Sequence, residues 1–295
     1  MSDVGTGGIV DRRARVAGWG SGTVVAVASL VGLGAFLYPF LLPVIDRAFA
    51  PGDEGAAHAA DAPLVLAAVT ALCLLAIVAE LGDPRGWRAP SASKTVALLG
   101  VLVATDATLR LIPTVLGASP IFLLIILVGA VYGPSFGFLM GSLTLLVSAV
   151  LTGGFGPWLP YQMLGAGWVG LTAGWLPRPR HPRVRLLLLA AFGALWGLLY
   201  GAILNLWSWP FAAPGLDVDA GLYWHPGLDL GETIDRYARY YLVTSLPYDL
   251  FRAAGNAALV LALGGPLLRV LERFRARFAW EPWVVAEPTG VAPAD

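Results

Sequence analysis

SPIFLLIILVGAVYGPSFGFLMGSLTLLVSAVLT, residues 119–152, is the stretch on which the fold turns. It reads as one long broken apolar segment or as two helices, because Gly133-Pro134 stands near its middle. Proline brings no amide hydrogen and disfavours helix in the residue before it, so a helix normally stops there. The sequence therefore predicts one helix over 120–132 and another over 135–152. A bilayer core asks for about 20 mainly apolar residues per span, which makes the first of the two short.

Comparable apolar runs lie on either side, at 22–45, 63–81, 95–113, 159–176, 186–208 and 243–268, for eight in all. Composition agrees. Of the 295 residues, 57% are apolar and 13% charged, and the mean hydropathy is +0.73; an ordinary soluble domain carries about 25% charged residues. The fold class expected is all-α, a polytopic membrane bundle of about eight transmembrane helices.

Loop charge tests that count. With eight spans, one side holds Arg12, Arg13 and Arg15, then Arg85, Arg88 and Lys94, then Arg178, Arg180, Arg183 and Arg185, then Arg269, Arg273, Arg275 and Arg277, which is 14 of the 19 basic residues. The other side holds Arg47, Arg236 and Arg239 among nine acids, from Asp46 to Asp235. Basic residues concentrate in cytoplasmic loops, so both termini are expected in the cytoplasm of a multi-pass cell-membrane protein. Removing one span would put the later basic loops on the wrong side. At the front, Arg12–Arg15, an apolar run and Ala48-Phe49-Ala50 imitate a cleavable signal peptide. A signal's apolar core is about 7–15 residues; this run is longer and carries Pro39 and Pro43, so a retained anchor is expected.

Several function classes drop out. Net charge is zero, which offers no basic surface to nucleic acid. Cys73 is the single cysteine, and His58, His181 and His225 are far apart, so neither a disulfide framework nor a metal site is indicated, and no cofactor is expected. Lys94-Thr95 would need glycines where Arg88 and Ser93 stand to form a phosphate-binding loop. Energy must come from a gradient or a partner.

Helical spacing then sorts the spans into faces. Ala97, Gly100, Ala104, Ala107 and Thr108 form a stripe of small side chains, which marks helix contacts in lipid: packing within this chain, or docking of another membrane subunit. Asp106 and Arg110 lie about a third of a turn away. The last span carries Ser245, Asp249, Arg252 and Asn256 on one face; the seventh carries Gly193, Gly197, Gly201 and Asn205; the sixth carries Gln162, Ala166, Gly170 and Gly174. At about 1.5 Å of rise per residue, Arg110, Asn205, Asp249 and Arg252 fall in the outer half, with Asp106 and Asn256 nearer the midplane and Gln162 one turn in from the outside, beside Trp158 and Tyr161. Charges at membrane depth are costly and are functional candidates by default. The alternatives are neutral Asp–Arg pairs that only fix packing, and an interfacial belt made by Trp158, Trp207 and Trp209. Loop 210–238, with Tyr223, Trp224, His225 and five acids, is long for a plain connector.

Ser119-Pro120-Ile121-Phe122, Gly129-Ala130-Val131-Tyr132-Gly133-Pro134 and Gly137-Phe138-Leu139-Met140-Gly141 resemble the second and third helices of S components, the substrate-specific subunits of energy-coupling factor (ECF) transporters. Gly153-Gly154-Phe155-Gly156-Pro157-Trp158-Leu159-Pro160-Tyr161-Gln162-Met163-Leu164-Gly165, continued by Gly167-Trp168-Val169-Gly170-Leu171, resembles the opening of the fourth helix in one subgroup. The likeness covers roughly 95–270 and is strong in the middle. It implies a six-helix core that binds a vitamin or related micronutrient from outside and pairs with a transmembrane coupling subunit and two cytosolic ATP-binding cassette ATPases. No enzymatic activity is implied. The family's first helix offers alanines to the coupling subunit; here Ala97, Gly100 and Ala104 stand in looser order. Two N-terminal spans and a larger loop 210–238 depart from the pattern.

The expected organisation is a cytoplasmic tail (1–20), two accessory helices (21–93), a six-helix substrate-binding core (94–277) and a disordered tail (278–295). Arg110, Trp158, Gln162, Asn205, Asp249 and Arg252 are the expected substrate contacts. The arginines would hold anionic or carbonyl groups, Gln162 and Asn205 would supply hydrogen bonds, and Trp158 would stack or cap. Asp106 would orient Arg110, and Asp249 would orient Arg252, with Asn256, Tyr161 and Ser245 in support. Loops 113–119, 153–159 and 210–238 would close the site. The rivals are a membrane-embedded enzyme, which would need a nucleophile–base set or metal ligands, and a gradient-driven carrier, which would usually show repeated halves.

Overall fold

The computed structural model of the protein describes residues 20–45, 63–75, 92–112, 119–211, 221–225 and 227–278. All regular structure among them is helical: α1 (Gly20–Ile45), α2 (Pro63–Leu75), α3 (Ala92–Leu109), α4 (Ile121–Tyr132), α5 (Pro134–Thr152), α6 (Leu159–Ala173), α7 (Pro182–Ser208), a 3-10 turn at Trp209–Phe211, α8 (Leu230–Thr244) and α9 (Leu246–Phe278). Nearly all of both tails, Ala48-Phe49-Ala50, the basic loops at Arg12–Arg15 and Arg85–Arg88, and the expected closing loop at 113–118 lie outside the described residues.

Leu30, Leu64, Val101, Val150, Leu187 and Leu195 are all exposed. So many large apolar side chains on the outside of one bundle call for lipid rather than water. By length and composition, Pro134–Thr152, Pro182–Ser208 and Leu246–Ala276 suffice to cross a membrane, and shorter apolar helices accompany them. Helix α9 runs on past the expected end at 268, so Arg269, Arg273 and Arg275 ride on helix and not on loop. Its 33 residues span about 50 Å, more than a hydrocarbon core of about 30 Å, and the surplus carries the charge clear of the lipid.

Gly133 breaks the decisive stretch as expected. It takes φ +104, a region open to glycine, and Pro134 starts α5 at its first position. Helix α4 has only 12 residues, and Ile121–Val131 are all buried. A helix this short is tolerated at membrane depth because protein surrounds it. Its last carbonyls, which no helical amide reaches, are taken by side chains from the basic end of the bundle. Arg178 donates from Nε to Ala130 O (3.1 Å) and from Nη2 to Val131 O (3.3 Å), and Arg275 donates to Val131 O (2.7 Å). The Tyr132 hydroxyl donates to Leu271 O of α9 (3.0 Å). Two arginines counted as loop charge therefore also cap the central helix.

Helices α4, α5 and α6 meet through bare backbone. A Cβ on Gly137 would stand 2.2 Å from Gly170 O, one on Gly170 2.0 Å from Gly137 O, and one on Gly141 2.1 Å from Ala166 O. Helices α7 and α9 form the other long seam, described below. The two N-terminal helices pack on the α5–α6 side: Trp168 Nε1 donates to Ser29 Oγ of α1 (3.1 Å), Gly32 of α1 lies under Leu164, and the Cys73 thiol of α2 sits beside the Ser142 hydroxyl of α5.

Loop 210–238 is not all connector. Helix α8 begins with a capping box, in which the Glu232 amide donates to Asp229 Oδ1 (2.8 Å) and the Asp229 amide to Glu232 Oε2 (3.3 Å). Tyr237 and Tyr241 turn inward and donate to Ala202 O and Leu198 O of α7 (the latter at 3.4 Å), while Leu230, Ile234, Leu242 and Val243 face out. The helix packs along the second half of α7.

Candidate functional site

Arg110 stands just past the last turn of α3. Its guanidinium donates from Nη1 to Ser148 Oγ of α5 (2.9 Å) and from Nη2 to Gln162 Oε1 of α6 (3.2 Å). Three helices thus meet at one cation. Ser148 is held in turn by donating to Leu145 O (3.0 Å). No carboxylate pairs with Arg110 among the described residues.

Asp106, expected to orient Arg110, does not reach it. One turn deeper on α3, it is completely buried and faces Thr144 of α5, and neither side chain completes a hydrogen bond of normal length. The reason is geometric. Residues 106 and 110 are stacked rungs facing the rungs 144 and 148 on α5, and each reaches across to the neighbour rather than along its own helix.

The second cation is built differently. Asp249 is buried on the first turn of α9, directly over Gly201 of α7, where a Cβ would lie 2.0 Å from Oδ2. It pairs with Arg252 one turn on, as expected. Arg252 also donates to Gly197 O (3.2 Å) and places its Cζ 5.5 Å from the centre of the Tyr200 ring, a cation–π distance. Asn256 donates to Gly193 O (3.0 Å), and Asn205 to Ser245 Oγ (2.6 Å). Read along the two helices, Asn205–Ser245, Gly201–Asp249, Gly197–Arg252 and Gly193–Asn256 are successive rungs of one seam. Asn205, Ser245 and Asn256 hold α7 to α9. They are not brought to Arg110.

Tyr200 joins the halves, and the sequence reading passed over it. Its buried ring packs edge-on against Phe122 of α4 (4.8 Å) and over Gly165 of α6, one turn from Gln162, and it feels the charges of both Arg252 and Arg110. An aromatic one residue before a stripe glycine, level with Asp249, was the available signal. Ser148 was missed too, although Thr144 and Ser148 are four apart on α5 and both buried.

Trp158 stands exposed at the start of α6, its ring folded over Gly156, which suits an interfacial residue. Tyr161 points the other way, buried between Phe36 of α1 (5.0 Å) and Trp207 of α7 (5.4 Å). Trp209 is no belt residue. It is buried under α8, against Tyr237 (5.0 Å), with Nε1 donating to Leu222 O (2.9 Å). Ala97, Gly100 and Ala104 are exposed on α3, and nothing lies within 4 Å of where a Gly100 Cβ would be.

Neither the curated proteins nor the solved structures yield a match to this chain. The model of one family, described as ECF transporter, substrate-specific component, matches residues 94–264. That span takes in α3 to α9 up to Gly264, with both arginines, Tyr200 and the polar seam, and leaves α1 and α2 outside; a match over more than half of the chain places this protein in the ECF transporter substrate-specific component family.

Proposed function

We propose that this subunit captures, from outside, a vitamin-like micronutrient carrying a carboxylate, phosphate or comparable anionic group, and that the group docks at Arg110. The family is one of multi-pass membrane substrate-binding subunits that work with an energy-coupling module and its ATPases, and not one of enzymes. The nature of the ligand is our reading. One observation carries it: Arg110 is a half-buried cation at membrane depth whose partners, Ser148 and Gln162, are both neutral. Charge in such a place is normally paired, and a guanidinium has five N–H donors, of which these bonds use two. Arg252 is already neutralised by Asp249, so the incoming anion would answer to Arg110 first, with Tyr200 and Gln162 as walls. Trp158 would close the mouth, and α8 would shield the α7–α9 side.

Coupling belongs to another face. Ala97, Leu98, Val101 and Thr105 of α3, Leu123 and Leu124 of α4, and Leu263, Leu267 and Phe274 of α9 line an almost wholly apolar groove of about 690 Å³. The transmembrane coupling subunit would lie here, beside the small stripe. Helices α1 and α2 pack on α5 and α6, away from the groove, and would travel with the core without obstructing it. Both termini would be cytoplasmic, at the basic end.

The test is mass spectrometry of small molecules that copurify with the coupled complex. Wild type should retain one anionic compound. Arg110→Ala removes charge-assisted hydrogen bonds worth about 1.5–3 kcal/mol and should weaken its binding about 10- to 100-fold. Full retention by that variant, or a cationic ligand, would sink the reading. Arg252→Ala is a less clean probe, because it also cuts a rung of the α7–α9 seam.

A further inference from the structure

We propose that the basic ends of α7 and α9 form a binding site for the phosphate of an anionic phospholipid, seated in the cytoplasmic leaflet. A cavity of about 520 Å³ opens between the segment before α7, the first turns of α7, and α9; Arg180, Arg183, Arg185 and Arg269 line it, with Glu272. Glu272 is engaged by Arg185. Arg180, Arg183 and Arg269 are exposed and have no ion-pair partner among the described residues. Four cations against one anion leave the cavity with three net positive charges. The start of α7 adds to this: its first turn holds no acid, and the His181 side chain does not cap it, so the positive end of the helix dipole is uncompensated.

Charge alone would suit any phosphate. The apolar wall selects a lipid. Leu186 and Leu268 face the same cavity, and Val184, Leu187 and Val270 stand exposed beside it. Headgroup chemistry and acyl-chain chemistry are thus adjacent, at the level where both helices leave the membrane. Basic pockets between helices on the cytoplasmic side recognise anionic headgroups in this way. The site is independent of whatever Arg110 binds. It depends only on the basic end facing the leaflet that holds the lipid.

The full-length protein in detergent, titrated separately with phosphatidylglycerol and phosphatidylcholine and read by native mass spectrometry, tests this. Phosphatidylglycerol should remain bound where phosphatidylcholine dissociates. Each arginine removed should cost about fivefold in affinity, so Arg183→Ala with Arg269→Ala should lose roughly 25-fold. The same two positions changed to Lys should keep most of the binding, and Arg180→Ala provides a milder variant if the double change fails to fold. Equal retention of both lipids, or an unchanged preference in every arginine variant, would overturn the proposal. So would displacement by inorganic phosphate alone, which would make the site a soluble-anion site. Variants that keep the lipid preference but lose the coupling module would assign the patch to a protein contact instead.

Discussion

Two helix seams in this bundle use the same sequence device for opposite ends. Between α5 and α6, glycine faces glycine: Gly137 and Gly170 each bar a Cβ because the other's carbonyl oxygen is there. Between α7 and α9, Gly193, Gly197 and Gly201 face Asn256, Ala253 and Asp249. At its middle the first seam is backbone on backbone, crossed by one buried hydrogen bond from the Ser142 hydroxyl to Met163 O (3.0 Å), and it carries no ion pair among the described residues. In the second, the missing side chains leave room for polar groups to lie inside a membrane, where small residues at every fourth position normally serve close approach alone. A small-residue stripe therefore announces a contact, and the residues opposite decide whether it is a joint or a seat for charge.

The sharpest way to break that comparison is to add one methyl group to each seam. In Gly170→Ala the new carbon meets a carbonyl oxygen that cannot move without its helix, so the loss should exceed the roughly 1–3 kcal/mol typical of overpacking, and size-exclusion profiles should show little monodisperse protein. In Gly201→Ala it meets the Asp249 carboxylate, which can rotate away. That variant should insert and stay monodisperse while its thermal midpoint falls and ligand is lost. Equal collapse of both would mean that the α7–α9 seam is as unyielding as the glycine-on-glycine one.

Next in size is Asp249→Ala. Removing one partner of a buried ion pair leaves the other uncompensated and costs about 3–5 kcal/mol. Arg252 keeps Gly197 O and the Tyr200 ring, so the lower end is expected. Asp249→Ala with Arg252→Ala should recover part of the lost thermal stability. If the double variant is no more stable than the single one, the seam is held by packing and the pair contributes little.

These differences explain what the sequence could disclose. Apolar length and Gly133-Pro134 are local signals, and they located the apolar helices and the break. Of the charged segments, Arg178–Arg185 and Arg269–Arg275 come together at one end of α7 and α9 among the described residues. Asp249 with Arg252 was legible because the two are one turn apart on one helix. Arg110 with Ser148 was not, because nothing in either helix reports which neighbour it faces; Asp106, four residues away, looked the better partner. Helix α8 was hidden by the measure used to find spans. Its apolar positions are periodic, not continuous, and Asp229 with Glu232, the capping box that marks its start, sits inside what read as a loop. Tyr200 was masked by the glycines around it.

A smaller effect separates Asp106 from Arg110. Buried without a completed hydrogen bond, the Asp106 carboxyl is a cost to the fold, whereas Arg110 is the proposed ligand contact. Asp106→Asn should leave ligand binding within about threefold and leave the thermal midpoint unchanged or higher, since a neutral amide is less costly to bury than a carboxylate. Loss of ligand comparable to that in Arg110→Ala would restore Asp106 to the orienting role that its spacing suggests.

The smallest expected effect lies where α8 meets the polar seam. Burial first, and then the negative charge of Asp249, push the Tyr241 phenol up to about 12; the same causes, with the neighbouring tyrosines, raise Tyr237. A phenol free in water titrates near 10. The docked helix therefore holds these protons more tightly than an undocked one. Its docking is intact below about pH 10 and weakens progressively as pH rises from there through the docked value. Alkaline titration followed by phenolate absorbance, wild type against Tyr241→Phe, should assign the missing signal to the region near 12. A Tyr241 signal that appears near 10, like that of a solvated phenol, would mean that α8 spends its time off the bundle. The Asp249–Arg252 pair would then lie open to water on the side that α8 covers.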